Sequence, residues 1–63
     1  MNDTELITWI AEHLLYFRPG FGCATMTHLD DDGITHETEY KSADIHISCT
    51  ALLRGCIAEA TKK

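Results

Sequence analysis

The fold of this chain is decided by Cys23-Ala-Thr-Met-Thr-His-Leu-Asp-Asp-Asp-Gly-Ile-Thr-His-Glu-Thr-Glu-Tyr40. Two runs rich in β-branched and aromatic residues flank an Asp-Gly pair, which is the pattern of a β-hairpin. An apolar helical pattern precedes the hairpin and another follows it. We therefore predict an α+β fold of the helix–β-hairpin–helix (αββα) type in one small domain, residues 1–63. The helices are predicted over about 4–17 and 43–61, and the hairpin over about 23–40.

The sidedness of the hairpin predicts its register. A three-residue turn, Asp31-Asp32-Gly33, with a left-handed glycine pairs Asp30 with Ile34 and places His28 opposite His36. A two-residue Asp32-Gly33 turn would divide the apolar side chains between the faces, so the three-residue turn is favoured. One face then carries Ala24, Met26, Ile34 and Tyr40 beside both histidines, and the other carries Thr25, Thr27, Thr35, Glu37 and Glu39.

The two helices are predicted from apolar spacing. The first has its apolar stripe at Leu6, Trp9, Ile10, Leu14 and Phe17, and Pro19 ends it. The second is predicted to be capped by Ser42. Its core stripe comprises Ile45, Cys49, Leu52, Leu53, Cys56 and Ala60.

Bulk composition excludes several classes of function. The 63 residues carry ten carboxylates against five lysines and arginines, a net charge of −5, whereas nucleic-acid and membrane-surface binders need a basic face. No apolar run approaches the ~20 residues of a membrane span. The three cysteines lack a disulfide-scaffold spacing, so we expect reduced thiols in the cytoplasm.

Both predicted helices are more apolar than a half-buried surface requires, and a two-stranded sheet is marginal by itself. A symmetric dimer would bury the surplus, so we expect a homodimer that completes the fold. The predicted dimer interface combines small residues of the second helix, spaced for close helix packing, with one apolar residue of the first helix. These residues are Leu15, Ala51, Gly55 and Ala58.

One alternative function is a zinc-stabilised domain. His28 and His36 are predicted neighbours across the hairpin, and Cys23 is a possible thiolate ligand. However, the chain has no Cys-x-x-Cys or His-x-x-x-His spacing. We therefore predict no metal and no cofactor, and keep the zinc site as an alternative.

A second alternative is a thiol-dependent enzyme. Cys49 is predicted to follow His46 by three residues on one helix, a spacing that permits contact. Its place on the apolar stripe favours an inert thiol, because reactive thiols need an electropositive setting. We therefore predict no catalytic residues and no enzymatic activity.

The leading hypothesis is a protein-interaction module. Glu37 and Glu39 lie on the acidic face of the hairpin, and Trp9 and Tyr16 are candidate aromatic anchors for a partner. In size, acidity and helix–hairpin–helix plan, the chain resembles the small accessory proteins of temperate phages and prophages. That resemblance implies a regulator or inhibitor that acts by binding a host protein.

Overall fold

The computed structural model describes residues 2–62, so Met1 and Lys63, the ends of the predicted domain, lie outside it. Along the chain the elements are α1 (Asp3–His13), β1 (Leu14–Pro19), β2 (Cys23–Leu29), β3 (Thr35–Lys41) and α2 (Cys49–Ala60). The strands form one antiparallel sheet in the order β1-β2-β3. The predicted α+β class is confirmed, but the sheet has three strands and not two.

The hairpin formed by β2 and β3 has the predicted register. The Asp30 N–H donates to the Ile34 carbonyl at 3.0 Å, and Gly33 adopts a φ of 81°, a conformation that favours glycine. His28 consequently lies opposite His36. The Asp30 carboxylate also accepts hydrogen bonds from the N–H groups of Asp32 and Ile34, which fixes the turn.

The first helix is shorter than predicted because residues 14–19 form a strand. Leu14 is already extended, and the pairing of β1 with β2 shifts between Leu14 and Tyr16, which marks a β-bulge. The extra residue places both Leu14 and Phe17 against the core. Their three-residue spacing matches that of a helix, and this coincidence explains why the sequence pattern indicated a longer helix.

The second helix begins six residues later than predicted. Ser48, not Ser42, is its N-cap, since the Ser48 hydroxyl accepts from the Ala51 N–H at 3.1 Å. The Ser42 hydroxyl accepts from the Asp44 N–H, and the Asp44 carboxylate accepts from the His46 N–H. These local bonds compete with helical hydrogen bonds and hold residues 42–46 as a loop.

The core lies between the helices and one face of the sheet. Both helices and the central strand contribute its buried side chains, which are Leu6, Ala24, Met26, Leu52, Cys56 and Ile57. Ile45 and Cys49, predicted in the core stripe, are exposed. No helix within residues 2–62 is long and apolar enough to cross a membrane.

Candidate partner-binding surface

The side of the sheet away from the helices is uncovered, and we call it the open face. Because side chains alternate along a strand, it carries the residues between those that point into the core. They are Tyr16 and Arg18 of β1; Cys23, Thr25, Thr27 and Leu29 of β2; and Thr35, Glu37, Glu39 and Lys41 of β3. All six residues contributed by the two edge strands are exposed, whereas the four from β2 are half-buried.

Strand pairing arranges the open face in rows. Tyr16 pairs with Thr27, which pairs with Glu37, and the neighbouring row is Arg18, Thr25 and Glu39. Tyr16 is 56% exposed. A shallow hollow of about 290 Å³ is bordered by both rows, from Tyr16 and Arg18 to Glu37. The strand that the sequence pattern missed therefore brings an aromatic residue and a cation to the face that holds the glutamates.

The charges on the open face are mixed. The Arg18 guanidinium lies 5.8 Å from the centre of the Tyr16 ring, within the range of a cation–π contact. Lys41 Nζ lies 3.5 Å from a carboxylate oxygen of Glu39. The expectation of a uniformly acidic face is thus corrected, since two cations accompany Glu37 and Glu39.

The structure brings together three of the four predicted partner-binding residues. Tyr16, Glu37 and Glu39 share the open face, but Trp9 lies on the helix side of the sheet. The Trp9 ring stacks on His13, with ring centres 5.0 Å apart, and is 5.6 Å from the ring of His28. Trp9 is therefore half-buried and packs against the core, and it is not part of the open face.

A second polar region lies at the end of the sheet beside the Asp turn, and we call it the histidine cleft. It has a volume of about 540 Å³, and its polar lining includes His13, His28, His36, Asp30 and Asp31. The rings of His28 and His36 are 5.9 Å apart. Burial lowers the pKa of His28, and the neighbouring His36 and His13 act in the same direction. The hydrogen bond from His36 lowers the pKa of Asp30.

The candidate zinc ligands are not assembled. Cys23 and His28 are five residues apart on β2, roughly 16 Å by strand rise, and they point to opposite faces. The Nε2 atoms of His28 and His36 bond to Thr38 and Asp30. Within residues 2–62, no group of three His, Cys, Asp or Glu side chains is arranged to hold a metal ion.

The thiols are placed differently from the prediction. Cys49 is the first residue of α2 and is exposed, and His46 lies in the preceding loop, so the helical spacing between them does not apply. Cys56 is buried with its Sγ 3.7 Å from the Ala24 carbonyl oxygen. Burial raises the pKa of the Cys56 thiol, which keeps it protonated and unreactive.

The predicted dimer residues lie on two elements, Leu15 on β1 and the other three on α2. Gly55 permits a close approach, as expected, but the approaching group is Tyr40 of the same chain: a Cβ at Gly55 would lie 2.6 Å from its ring. Ala51 is half-buried and Ala58 is exposed. Leu15 lies at the bulge of β1 and is 54% exposed, so it is the member best placed to meet another chain.

Sequence reasoning missed Arg18 as a surface residue because it was assigned to the end of a helix. A signal for the strand is present. Leu14 to Phe17 is a run of large apolar and aromatic residues, and Pro19-Gly20 with Gly22 separates it from the next strand. This is the pattern of a second hairpin.

Compared with protein-family models, with curated proteins and with solved structures, the chain matches none of them.

Proposed function

We propose that this chain is a small protein-interaction module that binds another protein through its open face. The supporting observation is the row arrangement, which places Tyr16 and Arg18 on one edge strand and Glu37 and Glu39 on the other. Tyrosine and arginine are the residue types that, with tryptophan, most often dominate binding energy at protein interfaces. Here both stand on a hydrogen-bonded strand, so their backbone is ordered before binding.

The partner is expected to be a protein. The face carries charges of both signs, which favours recognition by complementary charges on another protein surface. The net charge of −5 opposes a nucleic acid, whose phosphates would be repelled. Tyr16 provides an amphipathic anchor, since its ring packs on apolar groups and its hydroxyl forms hydrogen bonds.

Its biological role, in this proposal, is that of a cytoplasmic regulator or inhibitor. A chain of 63 residues that covers a patch on its partner acts by blocking or altering that patch, without catalysis of its own. The resemblance in size and acidity to accessory proteins of temperate phages supports a host protein as the target.

We also propose that the chain forms a homodimer through the edge of β1. This edge presents Leu15, which is 54% exposed, and Arg18 is its one charged residue. The other edge, β3, carries Glu37 and Glu39, and like charges facing each other across two strands are destabilising. Of the two edges, β1 therefore meets a second copy with less repulsion between like charges.

The open face is tested by affinity capture followed by binding measurements on the captured protein. We expect Tyr16→Ala to weaken binding by about 2 kcal/mol, about thirtyfold in affinity. We expect the double reversal Glu37→Lys with Glu39→Lys to abolish it, because two charges then oppose the partner. Neither change touches the core, so the melting temperature should remain close to that of the wild type.

The matched control is Glu5→Lys with Glu12→Lys, which changes the net charge equally at exposed positions of α1. Binding by this control should equal that of the wild type. If both double reversals weakened binding equally, the change in net charge alone would explain the loss. Undiminished binding by Tyr16→Ala would exclude the open face as the binding surface.

A further inference from the structure

The histidine cleft joins three elements through one column of rings. His13 is the last residue of α1, His28 lies in β2 and His36 lies in β3. The ring of Trp9 stacks on His13 and lies against His28, which in turn stacks with His36 at 5.9 Å. Three imidazoles therefore lie in one row that connects α1 to the sheet.

His28 is the buried member of the column. His28 is only 6% exposed, and its Nε2 lies 2.7 Å from the hydroxyl oxygen of Thr38. Every element around the cleft supplies titratable or charged groups. They are His13 from α1; Asp30 and Asp31 from the turn; His36 and Glu37 from β3; and Glu59 and Lys62 from the end of α2 and the residues after it.

We propose that this column is a proton-operated latch, which holds α1 against the sheet while His28 is neutral and releases α1 when His28 is protonated. The charged form would place its proton on a residue that is only 6% exposed, with the ring of His36 stacked against it at 5.9 Å. The released state lets water solvate that charge.

The direction of the pH effect follows from His28. Its pKa is lowered in the folded chain, first by burial and then by His36. The released state therefore binds the proton more tightly than the docked state. The docked state is fully stable above about pH 6.5, the ordinary pKa of a histidine, and it loses stability as the pH falls below that value.

Two outer pairs act in the opposite direction. The His36 Nε2 lies 2.7 Å from Asp30, and the His13 Nε2 lies 3.4 Å from Asp31, so both contacts strengthen when the imidazoles are charged. The Asp31 side chain is fully exposed and that of His36 is about half exposed. Water and salt screen such pairs, so the buried histidine decides the outcome.

The helix α1 is the element that the latch releases. It contributes one buried residue, Leu6, whereas α2 contributes Leu52, Cys56 and Ile57. Elements with few buried apolar contacts open at the lowest free energy. The latch lies on the helix side of the sheet, and Glu37, which borders the cleft, also belongs to the open face.

Amide hydrogen exchange at about pH 7.5 and about pH 5 tests the latch, with protection factors corrected for the intrinsic pH dependence of exchange. In the wild type we expect the protection of α1 to fall at the lower pH, while β2 stays protected. His28→Gln should abolish this fall, because glutamine keeps a hydrogen-bonding group and does not titrate. The control His46→Gln, which alters a loop histidine outside the cleft, should behave as the wild type.

Equal protection of α1 at both pH values in the wild type would overturn the proposal, as would a fall that persists in His28→Gln. If His28→Gln does not fold, ring titrations of the wild type by NMR replace it. The loss of α1 protection should then follow the titration of His28, and titration of His28 without that loss would equally overturn the latch.

Discussion

At the scale of single residues, Gly55 shows how one position links helix, strand and packing. Glycine within a helix ordinarily costs about 1 kcal/mol relative to alanine. Here the missing side chain lets the ring of Tyr40 rest on α2, because a Cβ would come within 2.6 Å of it. The sequence pattern indicated a close approach at this position, but only the fold shows that the neighbour belongs to the same chain.

We therefore expect Gly55→Ala to destabilise the protein, by about 1–3 kcal/mol from overpacking less the gain in helix propensity. Urea unfolding measures the change. The control is the same substitution in a Tyr40→Ala background, where the gain in propensity should remain and the clash should be absent. Stabilisation by Gly55→Ala in the wild-type background would contradict the contact.

At the scale of elements, sequence reasoning succeeded where local chemistry is decisive and failed where two patterns coincide. The Asp-Gly turn and alternating side chains define the hairpin, because Gly33 needs a positive φ and the register follows from it. Leu14 and Phe17 share the spacing of a helix only because a bulge adds one residue between them. The sequence pattern did not predict β1. It therefore identified Tyr16, Glu37 and Glu39 as surface candidates but not that the sheet places them on one face with Arg18.

The start of α2 gives a test at this scale. The Ser48 hydroxyl caps the helix, while the Ser42 hydroxyl bonds within the preceding loop. Ser48→Ala should lower the free energy of unfolding by about 1 kcal/mol, the usual value of an N-cap. Ser42→Ala is the matched control and should cost less. The opposite order in urea unfolding would favour a helix that begins near residue 43.

At the scale of the whole molecule, the chain covers one face of its sheet with two helices and leaves the other face to water. A third strand makes the sheet more stable than an isolated hairpin, so dimerisation is less necessary to complete the fold than the sequence indicated. Several large apolar side chains nevertheless remain exposed to solvent. The exposed large apolar residues are Ile7, Leu15, Tyr16, Phe21, Ile34 and Ile45.

Native mass spectrometry tests the proposed homodimer. We expect a dimer for the wild type and a monomer for Leu15→Glu, since a buried unpaired carboxylate at the β1 edge opposes pairing. Ile45→Glu introduces the same charge at an exposed apolar loop position and should leave the dimer intact. A monomeric wild type, or loss of the dimer in both variants alike, would exclude the β1 edge.

Site-specific photo-crosslinking tests most directly whether the open face contacts the partner. A photoreactive phenylalanine analogue replaces Thr27, in the middle of the open face, or Thr50, exposed on α2 on the other side of the molecule. We expect a covalent adduct with a partner protein from Thr27 and none from Thr50. An adduct from Thr50 alone, or no adduct from Thr27, would contradict binding through the open face.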